Sequence, residues 1–408
     1  MQSSSTQPST ADAITGRQRW TLLIVAVAGH ALKHLFNSSF FVILPEIKTA
    51  LALSNSQVGA LSTIRNVAGG LTNLPAGFAA DRYAKRRPVI MGMSIALIGT
   101  FCAFLGIATN FGVATLAATL MIVAITLWHP SAISSLSQRF ESRRGFAIAL
   151  HGTGGSVGEA LGPILTGTLI TVLAWRTVLH ASIVPAVAVG FIVWLLLRSI
   201  PLGESSLPSM KAYLGSVSRL VRNRRFLLVL LLAGGFSGTQ NVIMTFFPIY
   251  LRENLGASSV KLGLYLSLAQ VAGIGCQPIM GHLSDRLGRR AVLAPGLAIL
   301  GLSALGLSIA PAGWPLVVVV LIMGAFLFSL MSILLASAMD LVPGGVQATT
   351  VSLVFGAGVV VSGLMPAVAG ILADAYGVKA AFLWASGIAM LSALVAATTQ
   401  WQREPAEK

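Results

Sequence analysis

Long apolar runs alternate along the chain with short polar or basic breaks, and most runs reach the roughly 20 residues that carry a helix across a bilayer. Arg17 and Arg19 precede the first run, which predicts a helix over residues 20–44 that Pro45-Glu46 ends. Ser54 and Gln57 have the spacing of a capping box for a second helix over 54–80. Further helices are expected at 88–108, at 113–136 after the turn Asn110-Phe111-Gly112, at 146–173, and in a sixth run ending near Arg198. Residues 199–225 then turn polar and basic, with Pro201, Pro208, Arg222, Arg224 and Arg225, and read as a linker carrying a short surface helix over 210–220. Six more helices follow at 226–250, 260–281, 291–310, 314–338, 347–373 and 379–399. Residues 1–19 read as a disordered end and 400–408 as a solvated tail. The pattern therefore predicts an all-α integral membrane protein of twelve transmembrane helices, six in 20–198 and six in 226–399.

The two halves repeat each other. Gly77, Asp81, Arg82 and Arg86 recur as Gly281, Asp285, Arg286 and Arg290, and the basic run that ends in Arg87 recurs in kind as Arg289-Arg290, with Asp81 and Asp285 separated by 204 residues in a chain of 408. Val67-Ala68-Gly69 returns as Val271-Ala272-Gly273 at the same offset, the mark of an internal duplication.

Composition sharpens the membrane reading. Charged residues make up 10% of the chain, against about 25% in soluble domains, and mean hydropathy is +0.83. The net charge of +15 invites a nucleic-acid partner, but its distribution argues against one. Among the 27 Lys and Arg, only Lys48, Arg176, Arg252, Lys261 and Lys379 fall on one side of the predicted membrane, while Lys33 and Arg65 lie within helices. All the others sit in the termini and loops of the opposite side, which the positive-inside rule assigns to the cytoplasm together with both termini. A multi-pass protein of the inner (plasma) membrane is expected, its partners being the lipid bilayer and a solute rather than nucleic acid. Cys102 and Cys276 lie in apolar segments of different halves and read as buried free thiols.

The basic repeat, Gly77-Phe-Ala-Ala-Asp81-Arg82-Tyr-Ala-Lys85-Arg86-Arg87 and Gly281-His-Leu-Ser-Asp285-Arg286-Leu-Gly288-Arg289-Arg290, resembles the signature loop of the major facilitator superfamily of secondary transporters. The first copy departs from it in carrying Ala84 where the second has Gly288. The resemblance implies two six-helix halves with a binding site between them near the midplane, and a chain working as a monomer. It also implies a gating role for the repeat: Asp81 would cap a neighbouring helix and pair with basic residues across the halves, with Arg86 and Arg87 contributing, to stabilise the outward-facing state.

Ionisable groups are costly inside a bilayer, so those found there are candidates for function. His30, Lys33, His34 and Asn37 fall at i, i+3, i+4 and i+7, one stripe of the first helix. Lys33 lies about 20 Å of helical rise from Trp20, too deep to reach an interface easily. Arg65 and Asn66 follow in the second helix; Arg65 either bonds a neighbour's backbone or offers its planar fork to a carboxylate or phosphate. His129, between Trp128 and Pro130, is either a local structural histidine or part of the site. His151 and Glu159 stand in the fifth helix, where Glu159 either neutralises Lys33 or Arg65 or carries a coupling proton, with His34 and His151 as the other proton candidates. Gly154, Gly158, Gly162 and Pro163 give that helix a small-residue face for close packing. The second half offers Gln240 and Asn241 but no deep charge, and Phe236, Phe246 and Phe247 either form an apolar wall of the site or pack against neighbours.

The site expected from these residues takes a small anionic group on Lys33 and Arg65 and the remainder of the solute on the second half. The region 28–170, through His30, Trp-His-Pro and the Gly-Pro run of the fifth helix, resembles the fosmidomycin-resistance-type branch of the superfamily. That branch implies proton-driven export, and fosmidomycin is a phosphonate, which suits a cationic pocket. Uptake of a small carboxylate by the same pocket is the alternative reading. A membrane-embedded enzyme finds no support in paired carboxylates, a metalloprotease helix or a nucleophile elbow. No cofactor is expected. His30 and His34 at i, i+4 could hold a metal ion, but Lys33 between them opposes it, so no metal site is expected.

Overall fold

The computed structural model describes residues 15–202, 222–341 and 362–399, with a few isolated positions between them. Of the end expected to be disordered over 1–19, residues 1–14 lie outside the described residues, as do the tail over 400–408 and most of the surface helix expected over 210–220. Residues 16–19 are helical rather than disordered, because Thr15 and Gln18 form a capping box that starts the first helix early.

The described chain is helical throughout. The first half comprises α1 (Gly16–Ala50), α2 (Asn55–Arg82), α3 (Arg87–Gly106), α4 (Phe111–Arg139), α5 (Arg144–Val172), α6 (Trp175–Ala181) and α7 (Ile183–Leu197). The second comprises α8 (Arg224–Glu253), α9 (Ser259–Leu287), α10 (Arg289–Ile309), α11 (Trp314–Leu327), α12 (Leu330–Met339), α13 (Met365–Tyr376) and α14 (Lys379–Thr398). Among the described residues, eight helices are long and apolar enough to cross a membrane, counting α6 with α7 and α11 with α12 as single spans. α1, α2 and α5 fall outside that set, although they are 35, 28 and 29 residues long. They are the helices that carry Lys33, Arg65 and Glu159.

Burial is arranged as lipid requires. Leu71, Val184, Phe191, Leu231 and Leu394 are exposed, whereas His30, Lys33, Arg65, Arg87 and His151 are buried. Phe236, Phe246 and Phe247 are fully buried, in keeping with packing roles. Within the first half α1 packs most extensively on α5, and α3 on α4 and α7; in the second, α10 and α8 pack on α14. The halves meet where α5 lies on α9 and α2 on α13.

Several expected boundaries move. Pro45 does not end α1, which continues to Ala50. Its final turn is held from outside, by ion pairs from Glu46 to Arg252 and from Lys48 to Glu253, and membrane helices tolerate a proline where neighbours satisfy the chain. The sixth helix is interrupted at Ser182, whose hydroxyl donates to Leu179 O at 2.6 Å. The helix expected over 314–338 is interrupted at Phe328 and Ser329, where the Ser329 hydroxyl donates to Ala325 O at 2.5 Å. Such hydroxyl bonds compete with the helical ladder; Pro185, in the first turn of α7, marks the first break in the sequence, while Phe328-Ser329 carries neither Pro nor Gly.

The duplicated basic segment is mostly helix rather than loop. Gly77, Asp81 and Arg82 belong to α2, and Gly281, Asp285 and Arg286 to α9. The two copies then turn differently. Gly288 takes φ +92, a left-handed conformation that leads directly into α10. At the equivalent place Ala84 cannot do this cheaply, and the first copy turns through a 3-10 segment over Ala84–Arg86 instead.

Candidate functional site

The site begins with the close approach of α1 and α5. A Cβ on Gly154 would lie 2.5 Å from Val27 O, one on Gly158 would meet the Ala31 carbonyl, and one on Gly162 would lie 2.5 Å from Leu35 O. These glycines set α5 against the backbone of α1, as the small-residue spacing predicted. Gly155 adds to this, since a Cβ there would lie 2.5 Å from His30 Cε1. Trp128, fully buried, fills the space over Gly29 and fixes α4 beside them.

Four histidines converge from three helices. The rings of His30 and His151 stack with centroids 3.9 Å apart and planes 8° from parallel. His30 lies 4.5 Å from His34 and 4.8 Å from His129, both edge-on. His30 Nδ1 is 2.6 Å from His151 O, and His151 Nδ1 is 3.1 Å from Ala26 O. A carbonyl only accepts, so both Nδ1 atoms carry the hydrogen. In the neutral rings each Nε2 is then a bare lone pair, and both are buried without a hydrogen-bond partner.

The polar stripe of α1 faces inward but divides among different neighbours. His34 Nδ1 lies 2.6 Å from Glu159 Oε1, so Glu159 is paired with His34 rather than with Lys33 or Arg65. Asn37 Oδ1 accepts from Arg65 Nη2 at 2.5 Å, and the Arg65 guanidinium lies over Phe40, 4.6 Å from the ring centroid. Arg65 therefore bonds a side chain and an aromatic face, not a neighbouring backbone. Lys33 is 1% exposed and makes no ion pair or hydrogen bond with any described residue. His129 and Asn66 are half-buried. In the second half Gln240 Nε2 donates to Leu327 O at 3.2 Å, satisfying a carbonyl beside the break between α11 and α12, while Asn241 is half-buried. Gln240 is thus committed to the backbone.

Among the expected gating residues, the described contacts of Arg87 and Arg289 differ between the two copies. Arg87 is fully buried in the first half, its Nε donating to Ala80 O at 3.0 Å and its Nη1 to Leu202 O at 2.8 Å. These described contacts anchor it between the backbone of the first half and that of the linker. Arg82 and Arg86 are exposed near the Tyr83 ring, and the Asp81 side chain lies outside the described residues. Arg289 donates to Asp285 Oδ1 at 2.6 Å and to Asp340 Oδ2 at 2.9 Å, ties inside the second half. Arg286 and Arg290 are exposed and Gly281 is half-buried.

What the sequence reading missed is a set of contacts between halves at the opposite end. Asp374 accepts from Asn55 N at 2.8 Å, from Ser56 N at 2.9 Å and from Ser56 Oγ at 2.5 Å, capping α2 from across the halves. Glu46 pairs with Arg252, which also donates to Ser259 Oγ at 2.7 Å, and Lys48 Nζ lies 2.5 Å from Glu253 Oε1. Opposite charges near one repeat apart were the available signal: Glu46 and Arg252 are 206 residues apart.

A separate cavity of about 350 Å³ lies between α1, α3, α4, α5 and α7, lined by Leu32, Phe36, Phe40, Cys102, Met121 and Leu165 among others. Its walls are almost wholly apolar, so it offers an anion nothing. Cys102 there is a buried free thiol, and Cys276 is free and half-buried.

The sequence profile of the Major Facilitator Superfamily matches residues 26–276 and 235–408. The chain is 26% identical to the fosmidomycin resistance protein of Escherichia coli (strain K12) over 350 residues, 85% of this chain and 84% of that one. It is also 26% identical to the cis,cis-muconate transport protein of Acinetobacter baylyi, over 62% of this chain and 63% of that one. In fold it is similar to a bacterial homolog of the human lysosomal transporter Spinster in an inward-facing, occupied conformation. That match has a TM-score of 0.81 and 17% identity over 94% of this chain and 97% of that one.

Proposed function

The chain belongs to the Major Facilitator Superfamily, and on that footing we propose that it is a secondary active transporter exporting small organic anions in exchange for protons. The solutes are phosphonate- or carboxylate-like, the membrane is the inner membrane, and both termini face the cytoplasm, following the asymmetry of Lys and Arg. One observation carries the anion: Lys33 is buried at 1% exposure without a described partner. Glu159 acts on Lys33 only at longer range, without a direct contact; burying a charge costs several kcal/mol, and an anionic solute entering beside Lys33 offsets that cost. Arg65, about one turn beyond along the α1 stripe through Asn37, supplies a second fixed cation.

The proton is assigned to His34 and Glu159. Their 2.6 Å contact shares one hydrogen between a ring nitrogen and a carboxylate oxygen, so the pair can gain or release a proton with little rearrangement. Lys33 adjoins His34 in the chain, so charge arriving at one is felt by the other. The contacts of Asp374, Arg252 and Lys48 between the halves belong to the inward-facing arrangement, and the duplicated basic segments to its opposite.

Uptake of a small carboxylate is the second reading, favoured by the likeness to the cis,cis-muconate transport protein. It uses the same cations and differs in direction. Purified protein in proteoliposomes with an imposed pH gradient distinguishes the readings, given phosphonates, carboxylates and neutral sugars. Proton-linked movement of anions alone, lost in Lys33→Ala and Arg65→Ala and uncoupled in Glu159→Gln, is the expected result. Equal transport of neutral solutes, with both cation variants unaffected, overturns the anion assignment.

A further inference from the structure

We propose that His30, His129 and His151 form a binding site for one divalent cation of the zinc type, with Nε2 of His30, Nε2 of His151 and a ring nitrogen of His129 as ligands. The three residues come from α1, α4 and α5, and their candidate ligand atoms lie within 4.8 Å of one another. A tetrahedral zinc with nitrogens at about 2.0–2.1 Å needs them about 3.3 Å apart. Loading the ion therefore requires the rings to turn about χ1 and χ2, tilting His30 and His151 out of their parallel stack.

Two observations point to a metal rather than to core packing. His30 is 5% and His151 2% exposed, yet both present an Nε2 with no hydrogen-bond partner. A buried acceptor left unpaired is costly, and the two rings that carry these lone pairs are stacked on each other. Their opposite nitrogens are already placed as metal sites place them, each Nδ1–H donating to a backbone carbonyl that fixes the tautomer and the ring. His34 repeats the arrangement with Glu159 as acceptor, and its ring borders both His30 and His129. Imidazole ligands favour zinc, nickel or copper over magnesium or calcium.

In the sequence only the i, i+4 pair His30 and His34 comes into consideration, and it is set aside. His30 finds its co-ligands on α4 and α5, not on its own helix. Lys33 opposes the cation and Glu159 favours it, so both tune the site without ligating.

The test is metal binding by the full-length protein, purified in detergent with any affinity tag removed, and does not depend on transport. Zinc chloride is titrated calorimetrically against a magnesium control, and the zinc-loaded wild type is measured by X-ray absorption at the zinc edge. One zinc per chain is expected, with at least two imidazole nitrogens at about 2.0–2.1 Å. His129→Gln and His151→Gln should each weaken binding by roughly tenfold or more, and Glu159→Gln by less. Lys33→Met should tighten it, by the sign of the charge removed. His180→Gln and His282→Gln, outside the cluster, should leave it unchanged. A wild-type spectrum with fewer than two imidazoles overturns the proposal, as does zinc affinity that survives His151→Gln or is lost with His180 or His282. The wild-type spectrum decides even if a cluster variant fails to fold.

Discussion

Asp374→Ala removes a cap that one half of the molecule supplies to the other. Asp374 accepts two backbone N–H bonds and one hydroxyl bond at the start of α2, while Ser54, the helix's own cap, bonds Gln57. Loss of such a side chain costs about 1 kcal/mol, and a carboxylate at a helix N-terminus adds about 0.3–1 kcal/mol. The Asp374 side chain is exposed, so screening reduces the sum, and about 1 kcal/mol is the working figure. That energy stabilises only the arrangement in which α2 and α13 touch, so its loss shifts the population roughly fivefold toward the arrangement open at this end. Thr63 reports the change, being 9% exposed and bonded to Ala367 N at 3.2 Å within the α2–α13 contact. With Cys102→Ala and Cys276→Ser in place, Thr63→Cys is labelled by an impermeant maleimide applied from outside. Adding Asp374→Ala should speed labelling about fivefold, and Asp374→Asn, which keeps one accepting oxygen, should speed it less. An unchanged rate in Asp374→Ala would refute the reasoning that this cap helps to close the end.

Arg252→Glu sets three carboxylates together with Glu46 and Glu253; the same labelling should accelerate, by about 1 kcal/mol of bias, and adding Glu46→Arg should reverse it. Gly158→Val drives a side chain into the Ala31 carbonyl and should cost about 1–3 kcal/mol, read as a lower Tm of the purified protein; an unaltered Tm would mean α1 and α5 can separate freely. Gly77→Ala, by contrast, meets nothing within 4 Å and sits inside α2, so its Tm should hold or rise, helix propensity favouring Ala by up to about 1 kcal/mol. A large loss of Tm there would show a packing constraint on Gly77 that this conformation lacks.

Membrane class, the succession of apolar helices and the duplication were legible because they are local or periodic properties. A run of apolar residues long enough to span a bilayer declares itself, a capping box such as Ser54 with Gln57 spans four residues, and a repeat is visible as a repeat. Counting along helices singled out Lys33 and Arg65; both are buried, as is His151, and Glu159 is paired with His34. Which groups they meet was not legible. His34 could have faced any acid, and only the glycine-lined approach of α5 to α1 brings Glu159 to it across 125 residues. The same approach stacks His151 on His30 and leaves their Nε2 atoms bare. Pro45 looked like an end because the ion pairs that hold the next turn come from residues more than 200 positions away. Sequence determines where a charge must be buried, since solvation depends on the neighbours along the helix. Partnership depends on how helices distant in the chain pack, and that only the tertiary structure decided.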